Sequence, residues 1–452
     1  MHFPPGPRAF LPGAHLRAMQ YRPLSFLTQL AREHGDAAHF RIGRTHLYFF
    51  SHPELVREVL VARNASFIKG LALQRTKIVL GEGLLTSEGE LHKRQRRLAQ
   101  PAFHRARINH YGEQMVEKAL HARERWRDGE EIDVAHEMMR LTLAVVAKTL
   151  FDADVDDEAD EIGDALTELM LMFPILLHPL SALIVRLPFL PQVRRFRRAL
   201  ARLDRTIYAI IEERRRTGTD RGDLLSMLLL ATDVEGDGGT MSDLQLRDEA
   251  MTIFLAGHET TANALAWTWY LLARNRDVER ELHRELDEVL GGRTPTPADY
   301  PRLPYTEMVL AESMRLFPPA WAIGRFAEQD VTIGEWNIPS GALVLVSQWV
   351  THRDLRFWPE PERFDPLRFT ADAKASRPKT AYFPFGGGGR VCIGESFAWM
   401  EGVLLLATIA QRWRFERGPD VDPVALITLR PKGGMRMRAV ARCATLSAST
   451  GA

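Results

Sequence analysis

The sequence predicts an α+β fold in which helices dominate, and the order of its elements carries that prediction. Between residues 53 and 275 the pattern is mostly helical, whereas short strand-like runs fall near the two ends of the chain. This order is typical of α+β proteins and differs from the strict alternation of α/β proteins. No Ser/Gly-rich linker and no internal repeat divides the 452 residues. We therefore expect one domain over residues 1–452, mainly α with small β-sheet regions.

The elements follow in order from hydrophobic periodicity and turn residues. An amphipathic pattern predicts a helix near the amino terminus, and an apolar pattern predicts a last helix near the carboxyl terminus. Alternating apolar runs bounded by glycine or proline predict strands between them. The helices are predicted at residues 24–34 and 395–412, and the strands at 38–42, 46–50, 331–333, 336–338 and 342–346.

Composition and charge exclude several classes of protein. The chain is 45% hydrophobic and 26% charged, which is a globular balance. Its formal net charge of +1 argues against a nucleic-acid binder, and two cysteines cannot build a disulfide framework. The amino terminus lacks the apolar region of a signal peptide. We expect a soluble, cytoplasmic, monomeric protein without a transmembrane segment.

The most apolar stretch, residues 169–185, is interrupted by Pro174, His178 and Pro179. A bilayer span needs roughly 20 uninterrupted apolar residues, so this run does not predict one. A buried helix pair, a mobile lid over an apolar pocket and a loop that dips into a surface all remain compatible with it.

The strongest functional signal is a glycine-rich loop ending in a cysteine, Phe385-Gly386-Gly387-Gly388-Gly389-Arg390-Val391-Cys392-Ile393-Gly394. Glycines let the main chain approach a flat ligand closely, and the helix that follows favours an ionised sulfur at its amino terminus. A thiolate is a strong electron donor to haem iron, and Arg390 is placed to meet an anionic group at the rim of such a cofactor. The alternative is a flexible glycine hinge beside a buried free cysteine.

The spacing Phe385-x-x-Gly388-x-Arg390-x-Cys392-x-Gly394 resembles the haem-binding loop of the cytochromes P450. The resemblance implies the fold of that family, a helix-rich domain with small sheets around a buried haem. It also implies haem b (iron protoporphyrin IX) as cofactor, with the Cys392 thiolate as the metal ligand and Phe385 and Gly394 in contact with the cofactor.

A long helix carries the second signal. Ser242 and Gln245 form a capping box, and we expect the helix to extend to about Asn275. Its middle reads Ala256-Gly257-His258-Glu259-Thr260-Thr261, in which glycine and paired threonines are poor helix formers. Such local departures often mark function. The alternative is a helix-packing groove with the threonine bonded to the preceding turn.

These positions resemble the oxygen-activation motif of the same family. The resemblance places Ala256 beside the cofactor and makes Glu259 and Thr260 the catalytic acid–alcohol pair that supplies protons. Glu259 stands where many members have aspartate, and no role is assigned to His258.

Further family positions concern charge. Glu312 and Arg315 are spaced for a helical ion pair, which in isolation is usually a solvated surface pair. The resemblance implies a buried structural triad of Glu312, Arg315 and Arg363 behind the cysteine loop. The resemblance also implies four partners for the haem propionates, namely His92, Arg96, Arg325 and Arg390. The neighbouring Lys93, Arg94 and Arg97 are either simply solvated or attract an acidic electron-transfer protein.

The function implied is a haem-thiolate monooxygenase that inserts one atom of O2 into a lipophilic small molecule such as a fatty acid, terpenoid or polyketide. No nucleotide fingerprint and no cluster-type cysteine set is present, so electrons are expected from a ferredoxin or flavodoxin with its reductase. The pocket is expected at residues 78–85, 169–185, 256, 319–323 and near 427. A peroxide-driven peroxygenase and a non-catalytic haem-binding or sensor protein remain the alternatives.

Overall fold

The computed structural model describes residues 3–8, 11, 13–153, 159–177, 181–187, 189–230 and 239–442. In the amino-terminal half the helices are α1 (Ala14–Tyr21), α2 (Pro23–His34), α3 (Pro53–Arg57), α4 (Leu71–Arg75), α5 (Lys77–Leu80), α6 (Gly89–Ala99), α7 (Arg105–Arg123), α8 (Val134–Phe151), α9 (Ala159–Leu171), α10 (Phe173–Leu177), α11 (Ser181–Ile184), α12 (Pro191–Thr217) and α13 (Leu224–Leu230). In the carboxyl-terminal half they are α14 (Asp243–Leu272), α15 (Arg276–Leu290), α16 (Pro304–Leu316), α17 (Gln348–Thr351), α18 (Ala371–Ala375) and α19 (Glu395–Ala410).

The strands form small sheets at the edge of the helical body. They are β1 (Ala37–Ile42), β2 (Thr45–Phe50), β3 (Phe67–Lys69), β4 (Glu131–Asp133), β5 (Ile323–Ala327), β6 (Val331–Ile333), β7 (Trp336–Ile338), β8 (Leu343–Val346), β9 (Trp413–Glu416), β10 (Pro423–Ala425), β11 (Leu429–Pro431) and β12 (Arg436–Ala441). The largest sheet has the order β1-β2-β8-β5-β3, and a second has the order β4-β12-β9. Only the β2–β8 pair of the largest sheet is parallel, and β10 pairs with β11 in a separate antiparallel hairpin.

The 30-residue helix α14 lies at the centre of the core. At 1.5 Å per residue it is about 45 Å long, and it packs against α8, α12, α16 and α19. Buried residues occur on nearly every side of it, which is typical of a fully enclosed helix. The predicted capping box is confirmed, because the Ser242 hydroxyl accepts from the Gln245 amide and the Gln245 side chain accepts from the Ser242 amide.

The predicted elements are present with small shifts at their ends. The strands at 331–333 and 336–338 have the predicted bounds, and β1 and β2 are each one residue longer than predicted. Strand β8 begins at Leu343, one residue late, and α19 ends at Ala410, two residues early. Helix α14 ends three residues before Asn275, because Asn275 leaves the helical region (φ −128°, ψ 79°) and precedes α15.

The apolar run at residues 169–185 consists of the end of α9 and the short helices α10 and α11, while residues 178–180, which include His178 and Pro179, lie outside the described residues. Phe173 and Leu176 are buried, whereas Leu171 and Leu183 are exposed. The run is therefore amphipathic and not a fully buried pair of helices. In the described part of the chain no helix combines the length and the apolar character that a membrane crossing requires.

A buried ion network joins α16 to the segment that precedes the cysteine loop. Arg315 donates from Nε and Nη2 to the two Glu312 carboxylate oxygens at 2.7 and 2.8 Å, and both side chains are fully buried. Arg363, the expected third member of the triad, does not form an ion pair with Glu312. The Arg363 side chain is 62% exposed and pairs with Glu360, and only its carbonyl reaches Arg315. Arg368 takes the expected place, with Nε 3.4 Å from Glu312 Oε1.

The network continues toward the cysteine loop through His352. The Arg315 guanidinium donates to the His352 carbonyl at 2.8 Å, and the Phe383 amide donates to His352 Nε2 at 3.0 Å. Burial lowers the pKa of His352 well below its usual value, so the ring stays neutral and Nε2 remains an acceptor. The Phe383 carbonyl then accepts from the Gly386 amide, inside the glycine run. The ion pair thus supports the loop from behind through backbone hydrogen bonds.

Substitution of the arginines should rank their contributions to the stability of the folded protein. Arg315→Met should lower the free energy of unfolding by about 3–5 kcal/mol, because it leaves a buried carboxylate without its main partner. Arg368→Met should cost about 1–2 kcal/mol, and Arg363→Met, on the surface, less than about 0.5 kcal/mol. Urea titrations followed by circular dichroism measure all three. An Arg363→Met loss as large as that of Arg368→Met would contradict the corrected triad.

Candidate active site

The backbone of the cysteine loop includes a position that only glycine can occupy. Gly388 has φ of 67°, and a Cβ built there would lie 2.0 Å from the Leu60 carbonyl oxygen. The Cys392 amide donates to the Phe385 carbonyl at 3.0 Å, which closes the loop. Helix α19 begins at Glu395, immediately after Gly394. Cys392 therefore lies before the amino terminus of a long helix, as the sequence predicts.

The Cys392 thiol faces an internal cavity. The side chain is exposed to that cavity, yet burial within the protein raises the pKa of the thiol to about 11, against a hydrogen bond from the Gly394 amide that lowers it. A thiol in such a place is ionised only when a cation meets the sulfur, and a coordinating metal does this outright. The loop alone therefore leaves the sulfur protonated, and it fits a metal ligand better than a free thiolate.

Helix α14 crosses the cavity at its middle. Ala256 and Thr260 lie one turn apart and both line the cavity. The Thr260 hydroxyl donates to the Ala256 carbonyl at 2.7 Å, so the lone pairs of its oxygen remain able to accept a hydrogen bond. Gly257 also lines the cavity. A Cβ there would lie 3.0 Å from Val146 of α8, so the small residue serves close helix packing as well as space in the cavity.

Glu259 is held by the β10–β11 hairpin and does not extend freely into the cavity. Its Oε1 accepts from Arg430 Nε at 2.7 Å and from the Thr428 hydroxyl, and the side chain is only 2% exposed. Both Thr428 and Arg430 escaped the sequence analysis, since nothing in a short strand predicts which helix it faces. The acid and the alcohol therefore lie on adjacent residues but have different hydrogen-bond partners.

The four side chains expected to meet the propionates all line the same cavity: His92, Arg96, Arg325 and Arg390. Arg96 donates to the Val391 carbonyl at 2.8 Å, which connects α6 to the cysteine loop. Burial lowers the pKa of Arg325 to about 10 and that of His92 to about 4, so the histidine is neutral. The structure thus brings together residues that are up to about three hundred positions apart in the sequence.

Lys69 joins this cluster, and sequence reasoning missed it. It lies in β3 with Phe67 on the same inward face, and a lysine at an inward strand position was the available signal. Its Nζ donates to the Leu84 carbonyl at 2.9 Å and to the Ser87 carbonyl. Burial lowers the pKa of the Lys69 ammonium to about 7. A buried lysine at this position is best explained by an anionic group that binds beside it.

The cluster fits an anionic cofactor edge. Glu88 forms a salt bridge with Arg390 and accepts a hydrogen bond from the Lys69 backbone amide. Its charge also opposes the lowering of the Lys69 pKa. Among the described residues, His92 Nε2 and Arg325 Nε are buried without a hydrogen-bond partner. Propionate oxygens accept hydrogen bonds and carry the missing charge. With a thiol facing the same cavity, the residues present fit haem b.

The cavity has a volume of about 2210 Å³ and mainly apolar walls. The predicted wall segments contribute Leu84, Leu85, Phe173, Pro174, Ala320, Ile323 and Ile427. Helices α1 and α2 also line it, through residues such as Met19 and Leu24, and the sequence analysis did not include them. The shape suits a flat cofactor with a sizeable lipophilic molecule above it.

Comparison with known proteins agrees with the geometry. A family model described as Cytochrome P450 matches residues 4–435. The chain is 42% identical to cyclooctatin synthase of Streptomyces melanosporofaciens, over 94% of this chain and 91% of that protein.

Two further relatives carry names that state a reaction. Cyclooctat-9-en-7-ol 5-monooxygenase of the same organism is 39% identical, over 90% of this chain and 88% of that protein. Pentalenene oxygenase of Streptomyces avermitilis is 37% identical, over 95% of each chain.

Replacing Cys392 tests the metal ligand directly. Cys392→Ser should abolish the long-wavelength Soret band of the reduced, carbon monoxide-treated protein, because serine supplies no thiolate. Cys443→Ser, at the other cysteine of the sequence, is the matched control and should keep the band. An unchanged spectrum in Cys392→Ser, or colourless wild-type protein after expression with ample porphyrin, would show that the sulfur is not the ligand.

Proposed function

The chain belongs to the cytochrome P450 family, and from this premise we propose that it is a monooxygenase of cyclic terpenoids. As a member of the family it is an oxidoreductase that uses haem b, O2 and a lipophilic substrate, with electrons from redox partners. The terpenoid assignment is supported by the relatives named for cyclooctat-9-en-7-ol and for pentalenene. The structural observation that supports the terpenoid assignment is the large apolar cavity.

The cofactor supplies one kind of chemistry: RH, O2, two electrons and two protons give ROH and H2O at haem iron. The chain's own part is to bind, orient and protonate. We assign the Cys392 thiolate as iron ligand and the cluster of His92, Arg96, Arg325 and Arg390 as propionate partners, with Lys69 added. Phe385 and Gly394 shape the loop around the cofactor, and Ala256 leaves room beside it.

Proton supply is assigned to α14. The Thr260 hydroxyl lines the cavity and donates its proton there. The neighbouring Glu259 side chain, once it has taken up a proton from solvent, returns one to the Thr260 oxygen. The apolar walls exclude bulk water, which keeps protons from reaching the site by other routes. The same walls orient a hydrocarbon skeleton by shape, because they offer few polar groups to bind.

The electron donor is assigned to the class of ferredoxins or flavodoxins with a reductase. Helix α6 contacts the cysteine loop through Arg96, so its outer face lies near the shortest route to the cofactor. Lys93 and Arg97 are exposed there, and Lys93 pairs with Glu90, whereas Arg94 donates to the Gly239 carbonyl. An acidic partner would be steered by this face at low ionic strength. We propose that the chain acts as one domain and as a monomer.

Substrate class is tested by spin-state titration of the purified holoenzyme. Cyclic terpene hydrocarbons and alcohols should shift the Soret band from low to high spin at micromolar concentrations, because they fill the apolar cavity and displace water. Straight-chain fatty acids should shift it less, because a flexible chain loses more conformational freedom on binding than a rigid ring skeleton does. Shifts with fatty acids alone would refute the terpenoid assignment.

Thr260→Ala tests the proton supply. The variant should consume NADPH, in the presence of ferredoxin and reductase, with several-fold less product per NADPH and a matching rise in hydrogen peroxide. Thr268→Ala is the matched control, because Thr268 makes the same bond to the preceding turn, at 2.7 Å to the Ala264 carbonyl, but lies away from the cavity. Unchanged coupling in Thr260→Ala would remove the assignment.

Two outcomes of the same assays would replace the proposal. Product formed with hydrogen peroxide alone, and none with the electron-transfer chain, would make the protein a peroxygenase. Haem binding without any turnover, together with a short-wavelength ferrous–CO band, would make it a non-catalytic haem protein.

A further inference from the structure

The carboxylate of Glu259 belongs to a site that the acid–alcohol pair does not explain. Its Oε1 receives two hydrogen bonds, from Arg430 Nε and from the Thr428 hydroxyl, both on or next to β11. The Arg430 side chain is 13% exposed and that of Glu259 is 2% exposed. A pair so enclosed is weakly screened by solvent. The position of the carboxylate is therefore determined by the hairpin as well as by α14.

The relation between α14 and β11 is fixed by other contacts too. Glu259, Asn263 and Trp267 are four residues apart and share one face of the helix. Asn263 Nδ2 donates to Thr428 Oγ1 at 3.3 Å, and Trp267 Nε1 donates to the Leu429 carbonyl at 3.1 Å. The strand therefore stays against the helix without the ion pair.

The strand has two more anchors on its other sides. It pairs with β10, and the Leu429 amide donates to the Pro319 carbonyl at 2.9 Å. Because these bonds hold β11 in place, Arg430 is not needed to attach it. A role in holding the carboxylate explains the arginine better than a role in holding the strand.

Arg430 lies outside the part of the cavity wall to which Glu259 contributes. Glu259, Thr260 and Thr428 line the cavity, whereas in the described part of the chain Arg430 does not. The titratable group next to Glu259 on its own helix is His258, and burial lowers its pKa, so that ring is neutral. Within the described residues Arg430 is thus the cation that forms a salt bridge with Glu259.

We propose that Arg430 is a positioning residue for proton delivery, holding the Glu259 carboxylate at the cavity wall next to Thr260. This inference rests on the proposed function, because it needs Glu259 to supply protons. Arg430 acts through Glu259 and does not itself touch substrate or cofactor. Its Nε–H and the Thr428 hydroxyl both donate to Oε1, so neither of these bonds occupies the second oxygen of the carboxylate.

The experiment compares single and double variants of the holoenzyme with NADPH, ferredoxin and reductase. Arg430→Met should reduce product per NADPH by about tenfold, because a carboxylate that has lost its partner leaves the productive geometry. The substrate KM and the ferrous–CO band should stay as in the wild type. Arg430→Lys, which keeps the charge, should restore most of the coupling.

The double variant separates positioning from general damage. Glu259→Gln/Arg430→Met should couple no worse than Glu259→Gln alone, because both changes remove the same function. The wild type, the two single variants Glu259→Gln and Arg430→Met, and the double variant also give a readout that does not depend on turnover. The shift in urea midpoint of the double variant should be smaller than the sum of the single shifts, as expected for residues in direct contact.

Arg442→Met is the matched control, since Arg442 is 10% exposed and pairs with Asp287 at 2.9 Å, away from the cavity. It should couple as the wild type does. Equal coupling in Arg430→Met and wild type, or additive losses in the double variant, would overturn the inference. If Thr260→Ala also leaves coupling unchanged, the proposed proton supply fails as a whole; if Thr260→Ala uncouples and Arg430→Met does not, only the role of Arg430 is wrong.

Discussion

The main constraint on this structure is that positively charged side chains are buried beside an apolar cavity. Lys69 and Arg325 are only 4–5% exposed, and one carboxylate, Glu88, serves them together with Arg390. Burying cations without enough counter-charge is costly, and the lowered pKa values of both groups express that cost. A dicarboxylate cofactor relieves it, so binding of haem and stability of the fold are coupled. The Cys392 thiol has the opposite requirement, because it becomes ionised only when a cation binds its sulfur.

Helix α14 contacts helix α8, the cavity and the β10–β11 hairpin through small, hydroxyl and acidic residues. Small residues serve packing and space, since Gly257 admits Val146 and Ala256 borders the cavity. The hydroxyl of Thr260 faces the cavity, while Glu259 faces the β10–β11 hairpin. Residues that weaken an isolated helix are tolerated here because the helix is enclosed by α8, α12, α16 and α19. Local propensity is overruled by packing, and this explains why an irregular stretch remains helical.

The sequence was sufficient wherever the signal was local. The capping box of Ser242, the glycine loop before Cys392 and the strand bounds at 331–338 follow from spacing within a few residues, and the structure contains them. It was insufficient where a partner comes from a distant segment. Arg363 and Arg368 are five residues apart, and the backbone path into the short 3₁₀ helix Pro366–Phe369 decides which of them reaches Glu312. Lys69 and Arg430 escaped notice for the same reason.

The hairpin β10–β11 touches both the cavity and Glu259, the residue to which we assign proton supply. Val424 in β10 and Leu426 and Ile427 in the turn line the cavity. The Trp321 indole, which also lines the cavity, donates to the Leu426 carbonyl at 2.9 Å. A few residues later Thr428 and Arg430 hold Glu259. A substrate that presses on the turn therefore acts on an element that also fixes the acid. A change of sequence in this hairpin therefore bears on the cavity wall and on the surroundings of Glu259 at the same time.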